Sequence, residues 1–172
     1  MSPNMDASLE RVRNQLVSLL PRLRRYAIAL TGSVHDGDDL VQDTVERALK
    51  SLHQWQAGTS LSSWMFRIAK NRFIDTRRAA RVSSTVTMEE LPEEHEAAQS
   101  DGARAVEASL TLRDVCRALQ SLQVEQREAV ALVLIDGVSY REAADILGIP
   151  IGTLTSRIAR AREALAGFLA ES

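Results

Sequence analysis

Apolar residues recur along this chain at steps of three and four, the spacing that gathers them on one face of an α-helix. Over residues 8–30 they are Leu9, Val12, Leu16, Leu19, Leu20, Leu23, Ile28 and Leu30. Pro21 lacks an amide hydrogen and is expected to bend or split this first helix. The stretch "TGS" then closes it. "DGDDLVQDTVERALKSL" predicts a second helix, with Leu40, Val41, Thr44, Val45, Ala48, Leu49 and Leu52 on one side. Its acids cluster at the start, where the helix dipole favours them. "HQWQAGTS" reads as a loop. "SLSSWMFRIAKNRFIDTRRAAR" predicts a third helix with a buried stripe of Leu61, Trp64, Met65, Ile68 and Ala69.

Periodicity then fails. Between Glu89 and Glu107 the acids Glu89, Glu90, Glu93, Glu94, Glu96, Asp101 and Glu107 stand against Arg104 alone, with Leu91–Pro92 among them. A segment so acidic and so poor in apolar pattern reads as a flexible linker. Helical spacing returns at Leu112, Val115, Leu119 and Leu122. "VEQREAVALVLIDG" is apolar nearly all round, as a helix buried in a small bundle is. In "SYREAADILG", Ser139 and Glu142 match the S-x-x-E capping box, and Gly148 suits a left-handed residue at the helix end. Pro150, tolerated in a first turn, begins the last helix, whose seam is Ile151, Leu154, Ile158, Ala161, Leu165 and Phe168. The fold class is therefore all-α. Two small helical domains, residues 1–82 and 108–172, are joined by a flexible acidic linker over residues 83–107.

Composition agrees. The chain has 172 residues, 45% of them hydrophobic but only 4% aromatic, with 8 Gly and 4 Pro. That is enough apolar material for a core and little of the β-branched, turn-rich character of sheets. The longest apolar run, "AVALVLI", is far short of the ~18 residues a membrane span needs. No basic-then-apolar leader opens the chain. The expectation is a cytoplasmic protein. The one cysteine, Cys116, falls in a helical pattern and reads as a core or boundary residue.

The formal net charge of −2 conceals blocks of opposite sign. In the last helix Thr153, Ser156, Arg157 and Arg160 lie opposite the apolar seam. A capped short helix, a glycine turn and a second helix with such an outer face match the helix-turn-helix arrangement. In a major groove, Arg donates in bidentate fashion to guanine, and Ser or Thr reaches bases or phosphates. The bland alternative is a solvated face. From Arg67 to Arg81, Arg67, Lys70, Arg72, Arg77, Arg78 and Arg81 stand against Asp75 alone, interleaved with Phe73 and preceded by Trp64 and Phe66. Cations beside aromatic faces suit single-stranded nucleic acid, although Trp64 also lies on the apolar stripe. The loop before this helix can form a pocket wall for an unstacked base. Gln42, Asp43, Glu46 and Arg47 form a charged face that is either a docking surface or merely solvated.

Asp36, Asp38 and Asp39 lack the calcium-loop pattern, and His35, His53 and His95 lack zinc-ligand spacing, so no metal is expected. No nucleophile with a base, no phosphate loop and no paired carboxylates appear. No cofactor and no enzymatic activity are expected.

In this order, these stretches resemble the bacterial sigma factors of the extracytoplasmic-function type. "DDLVQDTVERAL" resembles their region 2.2, which binds core RNA polymerase. "SSWMFRIAKNRFIDTRR" is similar to regions 2.3 and 2.4, which open and read the minus-ten promoter element. "LQVEQREAVALVLIDGVSYREAADILGIPIGTLTSRIARARE" is similar to region 4, whose last helix reads the minus-thirty-five element. The resemblance implies that Asp38, Asp39, Gln42, Asp43, Glu46 and Arg47 meet the polymerase. It implies that Trp55, Trp64, Arg67, Lys70, Asn71, Arg77 and Arg78 serve the minus-ten element, and that Thr153, Thr155, Ser156, Arg157 and Arg160 serve the minus-thirty-five element. Core RNA polymerase, promoter DNA and an anti-sigma factor are the implied partners of a protein that is monomeric when free. "GTSLSSWMF" and "LTGSVHDGDDLVQDT" resemble, more narrowly, the general-stress sigma factors of alphaproteobacteria. Two positions depart from the family pattern: Thr155 stands where Lys is usual, and Pro150 where a small polar residue is common. The alternatives are a sigma-like mimic that sequesters an anti-sigma factor, which typically carries a receiver domain not read here, and a stand-alone dimeric helix-turn-helix regulator.

Overall fold

The computed structural model describes residues 3–84 and 103–170. All of the regular structure among them is helical. Helix α1 is Pro3–Thr31, α2 is Val34–Lys50 and α3 is Leu61–Ser84, with a short 3-10 turn at Leu52–Gln54. Then come α4 (Ala103–Gln120), α5 (Val124–Val130), α6 (Tyr140–Leu147) and α7 (Ile151–Ala170). Both edges of the expected linker are helical, since α3 ends at Ser84 and α4 begins at Ala103. The rest of it lies outside the described residues.

α1 runs unbroken through Pro21. Pro21 is exposed, so the carbonyl it leaves without a helical partner has access to water. α2 starts where Ser33, extended at φ −134° and ψ 137°, accepts the amide of Asp36 on its side chain. Gly37 sits where α2 crosses α1: a Cβ there would lie 2.7 Å from Ile28 Cγ1 and 3.0 Å from Ile28 Cα and N. The N-terminal core is built from Leu23, Tyr26, Leu30, Leu40, Ala48, Leu61, Met65 and Ala69. Thr44 is also buried there, its hydroxyl bonded to Leu40 O at 2.7 Å.

α5 continues into one wide π-helical turn, Ala131–Ile135, closed by Asp136 N to Ala131 O at 3.1 Å. The apolar run is buried from Ala129 through Leu132, but Val133 and Ile135 are half-buried and Leu134 is exposed, against the expectation of burial all round. α6 begins at Ser139, which accepts Glu142 N at 3.2 Å, and ends on Gly148 at φ +68°, a left-handed conformation suited to glycine. Only half of the capping box forms. The Glu142 carboxylate does not return to the cap but reaches Ser60 and Ser63 before and in α3.

Three apolar stripes end sooner than their periodicity suggests. Leu49, Leu112, Val115 and Ile151 are exposed, against the expectation that each faces a core. Leu49 and Val115 stand next to the buried Ala48 and Cys116, so the packed face of each helix is narrower than its apolar stripe. Conversely, Phe66 and Phe73 are buried, because α3 packs against α1, α2 and α6 and so hides more than one face. Tyr26 meets Phe66 edge to face, centroids 5.2 Å apart. Cys116 is buried, and that burial raises its thiol above the usual range.

The two domains share one continuous core. α1 rests on α4, α5 and the π turn, and α3 rests on α6. At this junction the wholly buried Asp136 carboxylate accepts Arg22 Nη2 at 2.7 Å and Arg25 Nη2 at 3.5 Å. Arg127 spans it too. It donates to Leu30 O at 2.9 Å, to Gln120 O and Leu122 O at 3.2 Å each, and to the Gln120 side chain.

Candidate polymerase and nucleic-acid interface

Asp38, Asp39, Gln42, Asp43, Glu46 and Arg47 are all exposed, along one side of α2. Spacings of one and four place them together, while Leu40, Thr44 and Ala48 fill the opposite side. The face is pinned at two points by neighbours. Arg24 binds Asp38 at 2.6 Å and holds that carboxyl below its usual range, chiefly through the hydrogen bond itself. Arg72 of α3 binds Asp43 at 2.7 Å. His35 lies 3.4 Å from Asp39 and 3.6 Å from Asp36, an exposed group at the helix start.

Of the minus-ten set, Trp55, Trp64 and Arg67 line one cavity of about 760 Å³. The 3-10 turn and the α3 start supply its floor with Gln54, Gln56, Thr59, Ser60 and Ser63; α6 supplies the other wall with Ser139, Arg141, Glu142 and Asp145. Both tryptophans are half-buried and packed on the core by one edge. Trp55 Nε1 is buried with no acceptor among the described residues. The Trp55 nitrogen is thus closed off, and what the two indoles can offer to a base in the cleft is ring surface for stacking. Phe66 and Phe73 cannot take part in stacking, being core residues.

The remaining cations divide. Asn71 and Arg78 are exposed. Lys70 is half-buried and donates to Leu147 O at 3.2 Å. Arg77 stacks on Phe73, 5.7 Å from the centroid, and lines a second cavity of about 400 Å³ with Asp36, Asp39, Asp43, Phe73 and Arg127. The structure thus separates Arg77 from Trp55, Trp64 and Arg67.

In α7, Leu154, Ile158 and Ala161 are buried and Leu165 and Phe168 are half-buried. Thr153, Thr155, Ser156 and Arg160 are exposed on the other side. The hydroxyls of Thr155 and Ser156 donate back to Ile151 O at 2.9 Å and Gly152 O at 3.0 Å. That fixes their protons and leaves oxygen lone pairs outward, so as they stand they accept rather than donate. Arg157 is half-buried and its charge acts on Glu128. Burial raises the Glu128 carboxyl; Lys70, Arg157 and Arg77 oppose the shift. Tyr26, whose hydroxyl is likewise buried without a partner among the described residues, is raised well above its usual range by burial and by Glu128.

The residues that sequence reasoning missed are those joining the halves: Ser60, Ser63, Glu142, Arg127, Arg22 and Asp136. Arg127 lies in the polar stretch Glu125–Glu128 before the apolar run and carries no signal of its burial. Arg22 and Asp136, 114 positions apart, carry none.

Residues 16–70 match the family described as the sigma2 domain of PhyR, and residues 112–165 match sigma-70 region 4. The chain is 35% identical over 166 residues to the extracytoplasmic-function (ECF) RNA polymerase sigma factor EcfG of Rhodopseudomonas palustris, covering 92% of this chain and 84% of that protein. It is similar in structure to the sigma factor RpoE solved in complex with the anti-sigma factor NepR from Bartonella quintana, with TM-score 0.74, 34% identity, and 94% and 98% of the two chains covered. A second solved relative, CnrH in complex with the cytosolic domain of CnrY, gives TM-score 0.71 and 28% identity over 95% of this chain and 90% of that one. No helix among the described residues is long and apolar enough to cross a membrane. With two helical domains, an exposed charged face on α2 and near full-length relatives of one kind, the chain belongs to the extracytoplasmic-function family of RNA polymerase sigma factors.

Proposed function

We propose that the three exposed surfaces divide the work of promoter recognition. The domain of residues 1–82 docks on core polymerase through Asp38, Asp39, Gln42, Asp43, Glu46 and Arg47. It receives the minus-ten element on Trp55, Trp64, Arg67, Lys70, Asn71, Arg77 and Arg78. The domain of residues 108–172 reads the minus-thirty-five duplex with Thr153, Thr155, Ser156, Arg157 and Arg160. The observation that carries this reading is the convergence of Trp55, Trp64 and Arg67 on one cleft. It offers aromatic ring surface and a cation to a single unstacked base. Each domain alone makes few base contacts, so naked-DNA binding is weak and salt-sensitive, and tethering through the linker over residues 83–107 raises the effective concentration of each for its element. The solved relatives' NepR and CnrY complexes support an anti-sigma partner here as well. The likeness to EcfG and to the PhyR sigma2 description supports the general-stress subgroup of alphaproteobacteria.

One observation favours a second reading. The description matched by residues 16–70 is that of PhyR, and a mimic that only captures an anti-sigma factor keeps this fold without reading DNA. Run-off transcription separates the two. Purified core polymerase, this protein and a pool of genomic promoter fragments give discrete transcripts that weaken in an Arg157→Ala/Arg160→Ala variant if the protein is an initiation factor. Absence of both transcripts and core binding refutes that role and leaves the mimic.

A further inference from the structure

Four acids stand in the charged face of α2, and they are held in two different ways. Among the described residues, Asp39 and Glu46 pair only within their own helix, with His35 at 3.4 Å and Lys50 at 3.6 Å. Asp38 and Asp43 are each held from a flanking helix. Arg24 of α1 forks onto Asp38, donating from Nε to Oδ1 at 2.6 Å and from Nη2 to Oδ2 at 3.1 Å. Arg72 of α3 makes a single bond to Asp43, from Nη2 to Oδ2 at 2.7 Å. We infer that Arg24 and Arg72 are positioning residues for polymerase docking, holding the Asp38 and Asp43 carboxylates in the orientation in which core polymerase receives them. The inference rests on the docking role proposed above for this face.

Stability does not account for these pairs. Both carboxylate side chains are 50% exposed, and ion pairs at a water-facing surface contribute little to folding. Their effect is on side-chain freedom. A lone exposed Asp turns among rotamers, and ordering it at an interface is a cost of binding. A carboxylate already fixed by a neighbouring helix is ordered before the partner arrives. The pairs also leave room for that partner. An ionised carboxylate has about four acceptor sites; Arg24 takes two on Asp38 and Arg72 takes one on Asp43. Core polymerase can therefore add a donor without breaking either pair. The two contacts differ in one testable way. A forked guanidinium fixes the plane of a carboxylate, which a lysine ammonium cannot do. A single bond is a point contact that an ammonium also makes.

Equilibrium binding of the full chain to purified bacterial core polymerase tests this, with urea midpoints to check that each variant folds. Asp38→Asn and Asp43→Asn should each weaken binding by about tenfold. Arg24→Gln and Arg72→Gln should each weaken it by about three- to tenfold, the scale of ordering one side chain at an interface. Arg24→Lys keeps the charge but loses the fork, and should stay as weak as Arg24→Gln. Arg72→Lys keeps a point contact, and should recover to within about twofold of the parent. Lys50→Gln removes a pair formed inside α2 and should bind as the parent does. Each Arg→Gln loss should vanish in a chain whose paired Asp is already Asn, because the arginine acts through that carboxylate. Arg24→Lys equal to the parent overturns the positioning role, as do Arg→Gln variants that bind as tightly as the parent while the Asp variants weaken. A loss on Arg24→Gln that survives in the Asp38→Asn chain means that the guanidinium itself meets the polymerase, and overturns it too. Binding unchanged in both Asp variants overturns the docking face itself, and the positioning role with it.

Discussion

Arg127→Ala tests whether the two domains are joined by specific polar contacts or only by apolar packing. Arg127 is 7% exposed, and its guanidinium caps carbonyls from three places: Leu30 at the end of α1, Gln120 at the end of α4, and Leu122 in the turn between α4 and α5. Hydrogen bonds from a charged donor contribute ~1.5–3 kcal/mol each, and a buried carbonyl left without a donor costs ~1–3 kcal/mol. Against this stands the penalty of burying the charge, visible in the lowered Arg127 pKa, for which burial is the main cause and nearby Arg77 the second. Removing the side chain relieves that penalty but strands Leu30 O and Leu122 O, both in buried contacts. The net loss expected is ~3 kcal/mol, the scale of breaking a buried charged network. With a urea m-value of ~2 kcal/mol/M, the midpoint falls by ~1.5 M. Arg127→Lys keeps the charge but can reach one carbonyl at a time, so it recovers less than half of the loss. Urea unfolding followed by circular dichroism gives both numbers. A loss below ~1 kcal/mol for Ala, or a Lys variant equal to the parent, would mean that water replaces the guanidinium, and the reasoning from stranded carbonyls would fail.

Three further outcomes can be checked. Gly37→Ala should lower stability by ~1–2 kcal/mol in the same urea assay, because the added Cβ meets the α1 backbone at 3.0 Å and overpacking outweighs the helix-propensity gain of ~1 kcal/mol. Glu128→Gln should stabilise the protein at neutral pH and lose that advantage as the pH drops. The folded carboxyl is raised by burial, so it binds its proton more tightly than the unfolded chain does, and stability falls as pH rises through the folded value. A pH series of melting temperatures shows a Glu128→Gln advantage that grows with pH, and a constant difference would refute it. Arg160→Ala should weaken binding of a minus-thirty-five duplex and reduce the salt slope by ~1 if Arg160 contacts a phosphate; anisotropy titrations across salt concentrations measure both.

The helices and their inner faces were legible in the sequence because burial imposes a period, and the period survives in Leu154, Ile158 and Ala161, or in Leu40, Thr44 and Ala48. What the period does not encode is where the covering partner stops. Ile151 continues the α7 seam by spacing yet is 53% exposed, while Leu154 one turn later is fully buried. Phe66 and Phe73 fail in the other direction. They lie off the main α3 stripe and look free to stack on bases, but α3 is covered on more than one side. A single-period argument counts one partner per helix.

The polar contacts show the same limit more sharply. Ser139 and Glu142 satisfy a local pattern, and Ser139 behaves as the pattern requires. Glu142 does not, because Ser60 and Ser63 offer its carboxylate two hydroxyls from a helix some eighty residues earlier. A local cap of this kind contributes about 1 kcal/mol, so a pair of tertiary hydrogen bonds is enough to redirect it. Arg22 and Asp136 carry no local pattern, and they secure the domain junction. The chemistry assigned to promoter recognition is therefore written locally, in Thr153 to Arg160 and in Trp64 to Arg78, while the joining of the two domains is settled by pairs far apart in sequence. A variant that leaves every one of those residues intact, such as Asp136→Asn, should still lower stability in the urea assay, because it takes the buried carboxylate away from Arg22 and Arg25.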